Sequence, residues 1–247
     1  MGRAKEIILK VIPSKVASDF VKKHHYSGKV VNYSQVHFGC FLDSQLHGVL
    51  SYGSSVNKRA LLSLVKDAKW NEFVELNRMA FDEFLPKYSE SRCIAISIKL
   101  LKKNAPQLKW IISFADGVQC GDGTIYRASG FELTNINSNV ETYRLPNGKI
   151  VQGFGLRTSG YLSWLKPYIS KEKFNELQSG GRKSKIILDY IGAEKVKGNM
   201  LRYIYLIDKK CKINVPIIPF SEIDKQGAGM YKGEKVTLKE RKEKLRD

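Results

Sequence analysis

The order of hydrophobic patterns between residues 70 and 134 constrains the fold of this chain more than any other feature. Residues 70–81 are rich in aromatic and branched side chains, which is typical of a strand. The segment 93–103 carries apolar residues at helical spacing. Residues 108–116 form a nearly continuous apolar run, the pattern of a strand that is buried on both faces, and 123–131 predict a short helix. This order of strand, helix, strand and helix indicates the core of an α/β domain.

The segments on either side extend this core. Residues 6–12 predict a strand, and Pro13 opens a predicted helix. Residues 36–53 and 141–154 predict hairpins, because each contains two strand-like runs joined by polar turn residues. We therefore expect an α/β (α+β) fold in which a mixed central sheet is flanked by helices.

Changes in composition divide the chain into three predicted parts. Residues 1–155 are expected to form the sheet-and-helix domain. Residues 156–230 form a basic C-terminal extension, in which Tyr161, Trp164 and Tyr168 alternate with lysine and arginine. Residues 231–247 form a charged tail that we expect to lie outside the core.

The charge of the chain indicates a polyanionic partner. Lysine and arginine number 42 against 24 aspartate and glutamate, a formal net charge of +18. Such an excess favours nucleic acid, with a basic but otherwise ordinary enzyme as the alternative. The 4 cysteines are far apart, and no signal peptide or membrane-spanning run is recognisable. We expect free thiols, a cytoplasmic location and no membrane partner.

The turn before the predicted helix has the features of a phosphate site. It contains Ser89, Glu90, Ser91 and Arg92. A helix N-terminus attracts phosphate because it presents unpaired backbone N–H groups and a partial positive charge. The two hydroxyl groups and the guanidinium would add hydrogen-bond donors.

Asp116 and Tyr126 are the candidate reactive groups. Asp116 ends the buried strand, and in open α/β sheets this end of a strand faces the ligand crevice. A carboxylate there could accept a proton, orient His25 or hold an amine, with capping of the following loop as the alternative. Tyr126 lies in the next segment and could face the same crevice, with core packing as the alternative.

The order of these elements resembles the GCN5-related N-acetyltransferase superfamily, in which the turn holds the pyrophosphate of an acyl-coenzyme A. Residues Tyr126 to Phe131 match a Y-x-x-x-G-F segment whose tyrosine often serves as a general acid. The chain departs from the superfamily at the turn, where serines stand in place of glycines. The resemblance implies an acyl-CoA-type donor.

A closer resemblance is to the bacteriophage Mom family of DNA-modifying enzymes. The matching segments span roughly the first 135 residues in the same order: His25-Tyr26, ELNRM (75–79), ESR (90–92), SFADG (113–117) and GTIY (123–126). The resemblance implies a transferase that places a carbamoylmethyl or methylcarbamoyl-type group on adenine N6 in DNA and so protects phage DNA from restriction. It also implies a phage or prophage enzyme that acts in a bacterial cell, on duplex DNA from which the adenine is extruded.

The same resemblance assigns roles to individual residues. Asp116 would accept the proton of N6, directly or through His25, while Tyr126 or Tyr26 would protonate the leaving group or bind a carbonyl oxygen. His25 and Asp116, with or without Tyr126, could also hold a divalent metal. The implied cofactor contacts are Met79, Ser89, Glu90, Ser91 and Arg92.

Candidate DNA contacts lie in the basic extension. Its cations would bind backbone phosphates without reading the sequence, and its aromatic rings would stack on bases unless they pack in a core. The candidates are Arg157, Trp164, Lys166, Arg182, Lys183 and Lys185.

Two alternative functions remain open at this point. One is an acyl-CoA-dependent N-acetyltransferase that acts on protein or small amines, since the Tyr126 to Phe131 segment is intact. The other is a non-catalytic DNA-binding protein, since the charge alone requires no chemistry.

Overall fold

The computed structural model describes residues 2–119, 121–138, 141–153, 156, 160–179, 184–231, 234–237 and 240. The strands in these ranges are β1 (Ile8–Val11), β2 (Ser34–Leu42), β3 (Gln45–Gly53), β4 (Phe73–Phe81), β5 (Trp110–Asp116), β6 (Glu132–Asn137), β7 (Thr142–Arg144), β8 (Ile150–Gln152), β9 (Glu194–Lys195), β10 (Met200–Leu206), β11 (Met230–Tyr231) and β12 (Glu234–Lys235). The α-helices are α1 (Ser14–His24), α2 (Lys58–Leu61), α3 (Ser89–Asn104), α4 (Thr124–Ala128), α5 (Lys171–Leu177), α6 (Ser184–Tyr190) and α7 (Ser221–Lys225).

A mixed sheet of 7 strands forms the centre of the fold, in the order β1-β2-β3-β4-β5-β10-β6. Strands β1 to β4 run antiparallel to their neighbours, whereas β4 and β5 are parallel. The predicted hairpin turns at Asp43 and Ser44, whose φ angles of 50° and 65° suit a tight hairpin turn. The mixed sheet with its flanking helices confirms the predicted fold class.

The two parallel strands separate beyond their first residues. They pair only at Phe73–Glu75 with Trp110–Ile112. Residues 76–81 and 113–116, all of them described, form no further pairs with each other. Where the ladder ends, the Ser113 hydroxyl donates to the Leu76 carbonyl oxygen at 3.2 Å, so a side chain replaces the missing backbone donor. The carboxyl halves of β4 and β5 therefore border an opening in the middle of the sheet.

Helices α3 and α1 cover opposite faces of the sheet. Ile94, Ile98 and Leu101 of α3 share a core with Ile111 and Ala115 of β5. Trp110 and Ile112 belong to a separate core on the other face. Because side chains alternate along a strand, Asp116 lies on the same face as Trp110 and Ile112.

A β-bulge in β4 brings a charged residue onto this second face, which we call the α1 face. Ser51 pairs with Arg78 and Tyr52 pairs with Leu76, so Asn77 is an extra residue in β4. A bulge shifts the alternation by one residue. Arg78 consequently lies on the face of Ala80, which packs with Ala17 and Val21 of α1.

The chain divides into two compact units whose boundaries differ from the predicted ones. One unit comprises residues 1–136 and 201–247, and the other comprises 137–200. The predicted boundary at residue 155 falls inside the second unit, because β10 returns to the central sheet between β5 and β6 and residues 137–200 are inserted before it.

The inserted unit has its own sheet and core. Its strands follow the order β8-β7-β9, and the predicted hairpin lies at β7 and β8. Leu165, Phe174, Ile187 and Leu188 are buried in the core of this unit.

Two further predictions concern free thiols and membrane-spanning segments. Cys40, Cys93 and Cys211 have free thiols, and Cys120 lies outside the described residues. No helix in the described part of the chain has the length and apolar composition needed to cross a bilayer.

Candidate active site

The segment after α1 presents His25 and Tyr26. Helix α1 ends when the His25 N–H donates to the Val21 carbonyl at 2.9 Å. The Ser27 N–H then donates to His25 Nδ1 at 3.2 Å, and the Ser27 hydroxyl lies 2.8 Å from the same nitrogen. Because a backbone N–H can only donate, Nδ1 is the accepting nitrogen, and the neutral ring carries its proton on Nε2.

Asp116 and Tyr26 form the contact that joins strand β5 to this segment. The Tyr26 hydroxyl donates to Asp116 Oδ2 at 3.4 Å. Oδ2 also accepts from Gln119 Nε2 at 3.1 Å, and Oδ1 accepts from the Val118 N–H at 2.9 Å. Asp116 is 7% exposed whereas Tyr26 is 47% exposed, so the carboxylate is buried behind a phenol that solvent can reach.

His25 lies against the same phenol. The His25 and Tyr26 ring centroids are 4.2 Å apart, with an interplanar angle of 33°. The structure thus brings together three of the four residues predicted as catalytic, although residues 26 and 116 are 90 positions apart in the chain.

Burial keeps His25 neutral. Burial, together with the nearby positive charge of Arg78, lowers the pKa of His25 from 6.5 to about 4. The ring is therefore uncharged at pH 7, and a proton it receives during a reaction is lost readily.

This shift predicts how stability depends on pH. Between pH 6.5 and about pH 4 the unfolded chain binds a proton at His25 that the folded chain does not, so the free energy of unfolding should fall as pH decreases through this window. The loss is at most about 3 kcal/mol. Urea unfolding of the wild type and of His25→Gln at pH 8 and pH 5 measures it. The stability difference between the two proteins should change with pH, and parallel curves would contradict the assignment.

Arg78 and Glu75 are charged residues of this site that the sequence interpretation missed as functional candidates. Arg78 Nε donates to the Lys29 carbonyl at 3.0 Å, and Nη1 donates to the Asn77 carbonyl at 2.8 Å. The guanidinium therefore ties the loop after α1 to strand β4. Its charge adds to the effect of burial in lowering the pKa of His25, and it opposes the effect of burial on the pKa of Glu75.

Glu75 lies next to the opening in the sheet. It pairs with Gly53 of β3 on one side and with Ile112 of β5 on the other. Burial raises the pKa of the Glu75 carboxyl, and the charge of Arg78 offsets part of this effect. The ELNRM segment contained both residues, but the bulge that places Arg78 on the α1 face has no visible signal in the sequence.

Tyr126 lies in different surroundings from Asp116. It is 8% exposed and belongs to the apolar core on the α3 face. Its ring centroid is 5.5 Å from that of Phe131 and 5.3 Å from that of Tyr203. The predicted helix is confirmed at α4, and Gly130 follows it with a φ of 79°. The phenol that donates to the buried Asp116 carboxylate is that of Tyr26.

The turn before α3 holds the predicted phosphate contacts. The Ser89 hydroxyl donates to the Pro86 carbonyl at 2.5 Å and the Ser91 hydroxyl to the Tyr88 carbonyl at 3.2 Å. Arg92 Nη2 donates to the Lys5 carbonyl at 3.1 Å, while the buried Arg92 Nε has no acceptor among the described residues. Glu90 is half-buried. Arg92 Nε is thus a buried donor of this turn that no acceptor in the described part of the chain satisfies.

Met79 is separated from the charged residues of β4. It is half-buried and packs against the core on the α3 face. A role beside the α3 turn is therefore compatible with its position, whereas Arg78 and Glu75 serve the α1 face.

The predicted DNA contacts fall in the inserted unit. Trp164, Tyr161 and Tyr168 are half-buried against its core, which is the arrangement of the core-packing alternative. Lys166 is exposed, whereas Lys185 Nζ pairs with Asp189 Oδ2 at 2.6 Å. Arg157, Arg182 and Lys183 lie outside the described residues.

A metal centre has limited support from the side chains. The described residues contain no group of three histidine, cysteine, aspartate or glutamate side chains that could hold an ion. The Tyr26 oxygen and Asp116 Oδ2 are of ligand types that metal ions accept, whereas His25 Nε2 carries the ring proton in this arrangement and would have to lose it to bind an ion.

Comparison with known proteins places these observations in a family. The profile of the Mom protein family matches residues 6–222. Methylcarbamoylase mom of Escherichia phage Mu is 28% identical over 215 residues, which cover 85% of this chain and 79% of that protein. Solved structures with a likeness to the fold include an IAA acetyltransferase from Bacillus cereus (10% identical, TM-score 0.43, covering 81% of this chain and 99% of that one). A spermidine/spermine N-acetyltransferase from Vibrio cholerae is 8% identical, with a TM-score of 0.44 and coverage of 85% of this chain and 97% of its own. Because the family profile spans most of the sequence, the chain belongs to the Mom protein family.

Proposed function

We propose that this protein is a DNA-modifying transferase that places a methylcarbamoyl-type group on the N6 amino group of adenine. Membership of the Mom family and the name of the phage Mu relative support this class of reaction. The observation that carries the proposal is the buried Asp116 carboxylate beside an exposed phenol and a neutral imidazole, at the edge of an opening in the sheet.

The reaction requires a proton acceptor because the lone pair of N6 is delocalised into the purine ring. We infer that Asp116 takes the N6 proton as the bond from N6 to the incoming carbon forms. The bond between that carbon and its leaving group breaks, and the leaving group takes a proton from Tyr26. His25 Nδ1 is already engaged by Ser27, so His25 acts through Nε2–H as a hydrogen-bond donor to substrate oxygen.

Arg78 and Glu75 position the reacting groups. Arg78 holds the loop that carries Tyr26 through its bond to the Lys29 carbonyl. The Glu75 carboxylate provides an acceptor for an N–H of the adenine or of the transferred group, at the point where β4 and β5 separate.

Mass spectrometry of nucleosides tests the proposal and separates it from the alternatives. DNA from cells that express the protein should contain a heavier deoxyadenosine, and DNA from cells with a Tyr26→Phe variant should contain much less. Unmodified DNA together with acetylated protein or amines would support an acyl-CoA-dependent N-acetyltransferase. Unmodified DNA that binds the protein would support a non-catalytic DNA-binding protein. Modified DNA should also resist restriction nucleases whose sites contain the altered adenine.

An acyl-CoA-type donor fits one feature of the α3 turn. Arg92 Nε is a buried donor that lacks an acceptor among the described residues, and an oxygen of an anionic donor would satisfy it. Titration of coenzyme A into the wild type and into Arg92→Ala tests this role. Ser91→Ala is the control, because its hydroxyl already donates to Tyr88.

A divalent metal at His25, Tyr26 and Asp116 is a further proposal. The ion would polarise the substrate oxygen that His25 otherwise contacts. Elemental analysis of the purified protein, with Tyr26→Phe as the comparison, tests it independently of activity.

DNA binding should depend steeply on salt. The net charge of +18 indicates many phosphate contacts, and each one releases a counterion. If about six phosphates are contacted, the affinity should fall about 10³-fold between 50 and 200 mM salt. Fluorescence anisotropy with a labelled duplex measures the slope, and an affinity that does not change with salt would contradict an electrostatic contact.

A further inference from the structure

We propose that a lysine-lined groove at the opposite end of β5 from Asp116 binds the DNA backbone about six base pairs from the target adenine. We call it the lysine groove; its lining includes Lys66, Glu72, Lys109, Trp110, Lys210 and Lys212, and its volume is about 470 Å³. This inference rests on the proposed function, because it assumes that adenine reacts at Asp116.

Backbone hydrogen bonds hold the walls of the groove in place. Val65 forms a bridge with Ile213, and the Lys66 N–H donates to the Lys212 carbonyl at 2.9 Å. The N–H groups of Ile207 and Asp208 both donate to the Lys109 carbonyl, at 2.8 and 3.0 Å. The lysines therefore project from a preorganised frame, which limits the conformational entropy lost when a ligand binds.

The charges of the groove favour an anion. Glu72 is neutralised internally, since Lys109 Nζ lies 2.7 Å from its Oε1 and the Lys69 N–H donates to its Oε2 at 2.9 Å. Lys66, Lys210 and Lys212 are exposed and form no ion pair with a carboxylate in the described part of the chain.

Two acidic residues reduce the excess of positive charge in the groove but do not remove it. Asp67 and Asp208 also line the groove, and Asp208 Oδ1 accepts from the Lys210 N–H at 2.9 Å. Outside the lining, the exposed Lys69 and Lys209 add two positive charges. Lysines act as point charges for phosphate and do not read bases, so this composition suits a DNA backbone.

The position of the groove gives the distance along DNA between the groove and the adenine at Asp116. Trp110 begins β5 and Asp116 ends it, and alternation places both on the α1 face. Six residue steps of about 3.3 Å separate them by roughly 20 Å. At a rise of about 3.4 Å for each base pair, this distance corresponds to about six base pairs of B-DNA. Strand β5 itself is buried between β4 and β10, so the duplex would run over the surface in the direction of β5 and contact the groove on one side of the reacting adenine only.

Substrates of graded length test the spacing. Each duplex carries one reactive adenine, a long arm on one side and an arm of 3, 6, 9 or 12 base pairs on the other, and a second set reverses the arms. For wild type, binding should tighten about tenfold as one particular arm grows from 3 to 9 base pairs. A length dependence that is equal on both sides would overturn the proposal.

A triple variant tests the lysines. Lys66→Ala/Lys210→Ala/Lys212→Ala should lose the arm-length step and reduce the salt slope by up to about three, because each phosphate contact contributes about 0.9. Lys99→Ala/Lys102→Ala/Lys103→Ala removes three exposed lysines of α3 and should behave as wild type. If the groove variant keeps the step while DNA is still modified, the groove assignment fails and the proposed function stands. The proposed function fails instead if no duplex is modified, while wild type shows the arm-length step in binding and the groove variant lacks it.

Trp110 gives a second measurement that does not depend on activity. The chain has 3 tryptophans, so Trp70→Phe/Trp164→Phe leaves Trp110, which lines the groove, as the single reporter. Its fluorescence should change with the 9-base-pair arm and not with the 3-base-pair arm. An equal response to both arms would contradict occupation of the groove.

Discussion

Replacing Asp116 with asparagine is expected to reduce adenine modification about 10³-fold, since loss of a positioned proton acceptor removes roughly 10² to 10⁴ in rate. An asparagine oxygen can still accept from the Val118 N–H, as Asp116 Oδ1 does at 2.9 Å. The amide cannot take up a proton, however, and the Tyr26 hydroxyl loses a charged acceptor. The loss should therefore be in the chemical step, while the fold and DNA affinity are kept.

Single-turnover kinetics on duplex DNA, with anisotropy for binding, separates these effects. Asp82→Asn is a matched control, because Asp82 also accepts from a side chain, at 2.8 Å from His47 Nδ1, and its side chain bonds to His47 and Phe84, which are outside the candidate site. It should keep activity within a few-fold of wild type. An Asp116→Asn protein that is folded and fully active would exclude Asp116 as the proton acceptor.

Several features of the site were predictable because they depend on local pattern. The apolar run at 108–116 located β5, which occupies Trp110–Asp116 and leaves an acid at its carboxyl end. The helical spacing after Pro13 located α1, so His25 and Tyr26 were expected at a helix end. The contact of Tyr26 with Asp116 did not follow from spacing, because these residues are 90 positions apart. It was expected only through the Mom resemblance.

Other features could not be predicted because they depend on long-range pairing. The register of β3 and β4 places the bulge at Asn77, and this one-residue shift decides which face Arg78 occupies. The insertion of β10 between β5 and β6 depends on strand pairing across 64 intervening residues of the second unit. A boundary drawn from composition at residue 155 therefore falls inside the second unit. The spacing from Tyr126 to Phe131 was likewise correct as a helix and glycine signal, but it carried no information on the apolar neighbours of the ring.

Replacing Glu75 with glutamine is expected to reduce activity about 10²-fold, which is the loss that misplacing a reacting group produces. The same substitution should raise thermal stability at pH 8. Burial raises the pKa of Glu75, so the folded protein binds this proton more tightly than the unfolded chain does. Stability is therefore fully present below the unfolded pKa and decreases as pH rises through the folded pKa. Glutamine has the same shape without a charge to bury, and each kcal/mol regained would raise Tm by roughly 2–4 °C in a chain of this size.

Glu72→Gln, three residues away, should change the thermal stability at pH 8 in the opposite direction. Its pKa is lowered, first by the hydrogen bond from Lys109, so its contribution to stability is present above the unfolded pKa and is lost as pH falls. Glu72→Gln should thus lower Tm at pH 8, and the deficit should shrink toward pH 4, whereas the gain of Glu75→Gln should shrink over the same range. Calorimetry across this range, combined with kinetics at pH 8, distinguishes a buried functional charge from a structural one. A carboxylate that lowers stability is expected to be retained only where it serves function, here as a contact to substrate. A Glu75→Gln protein that is less stable than wild type at pH 8, or that is fully active, would therefore exclude Glu75 from the site.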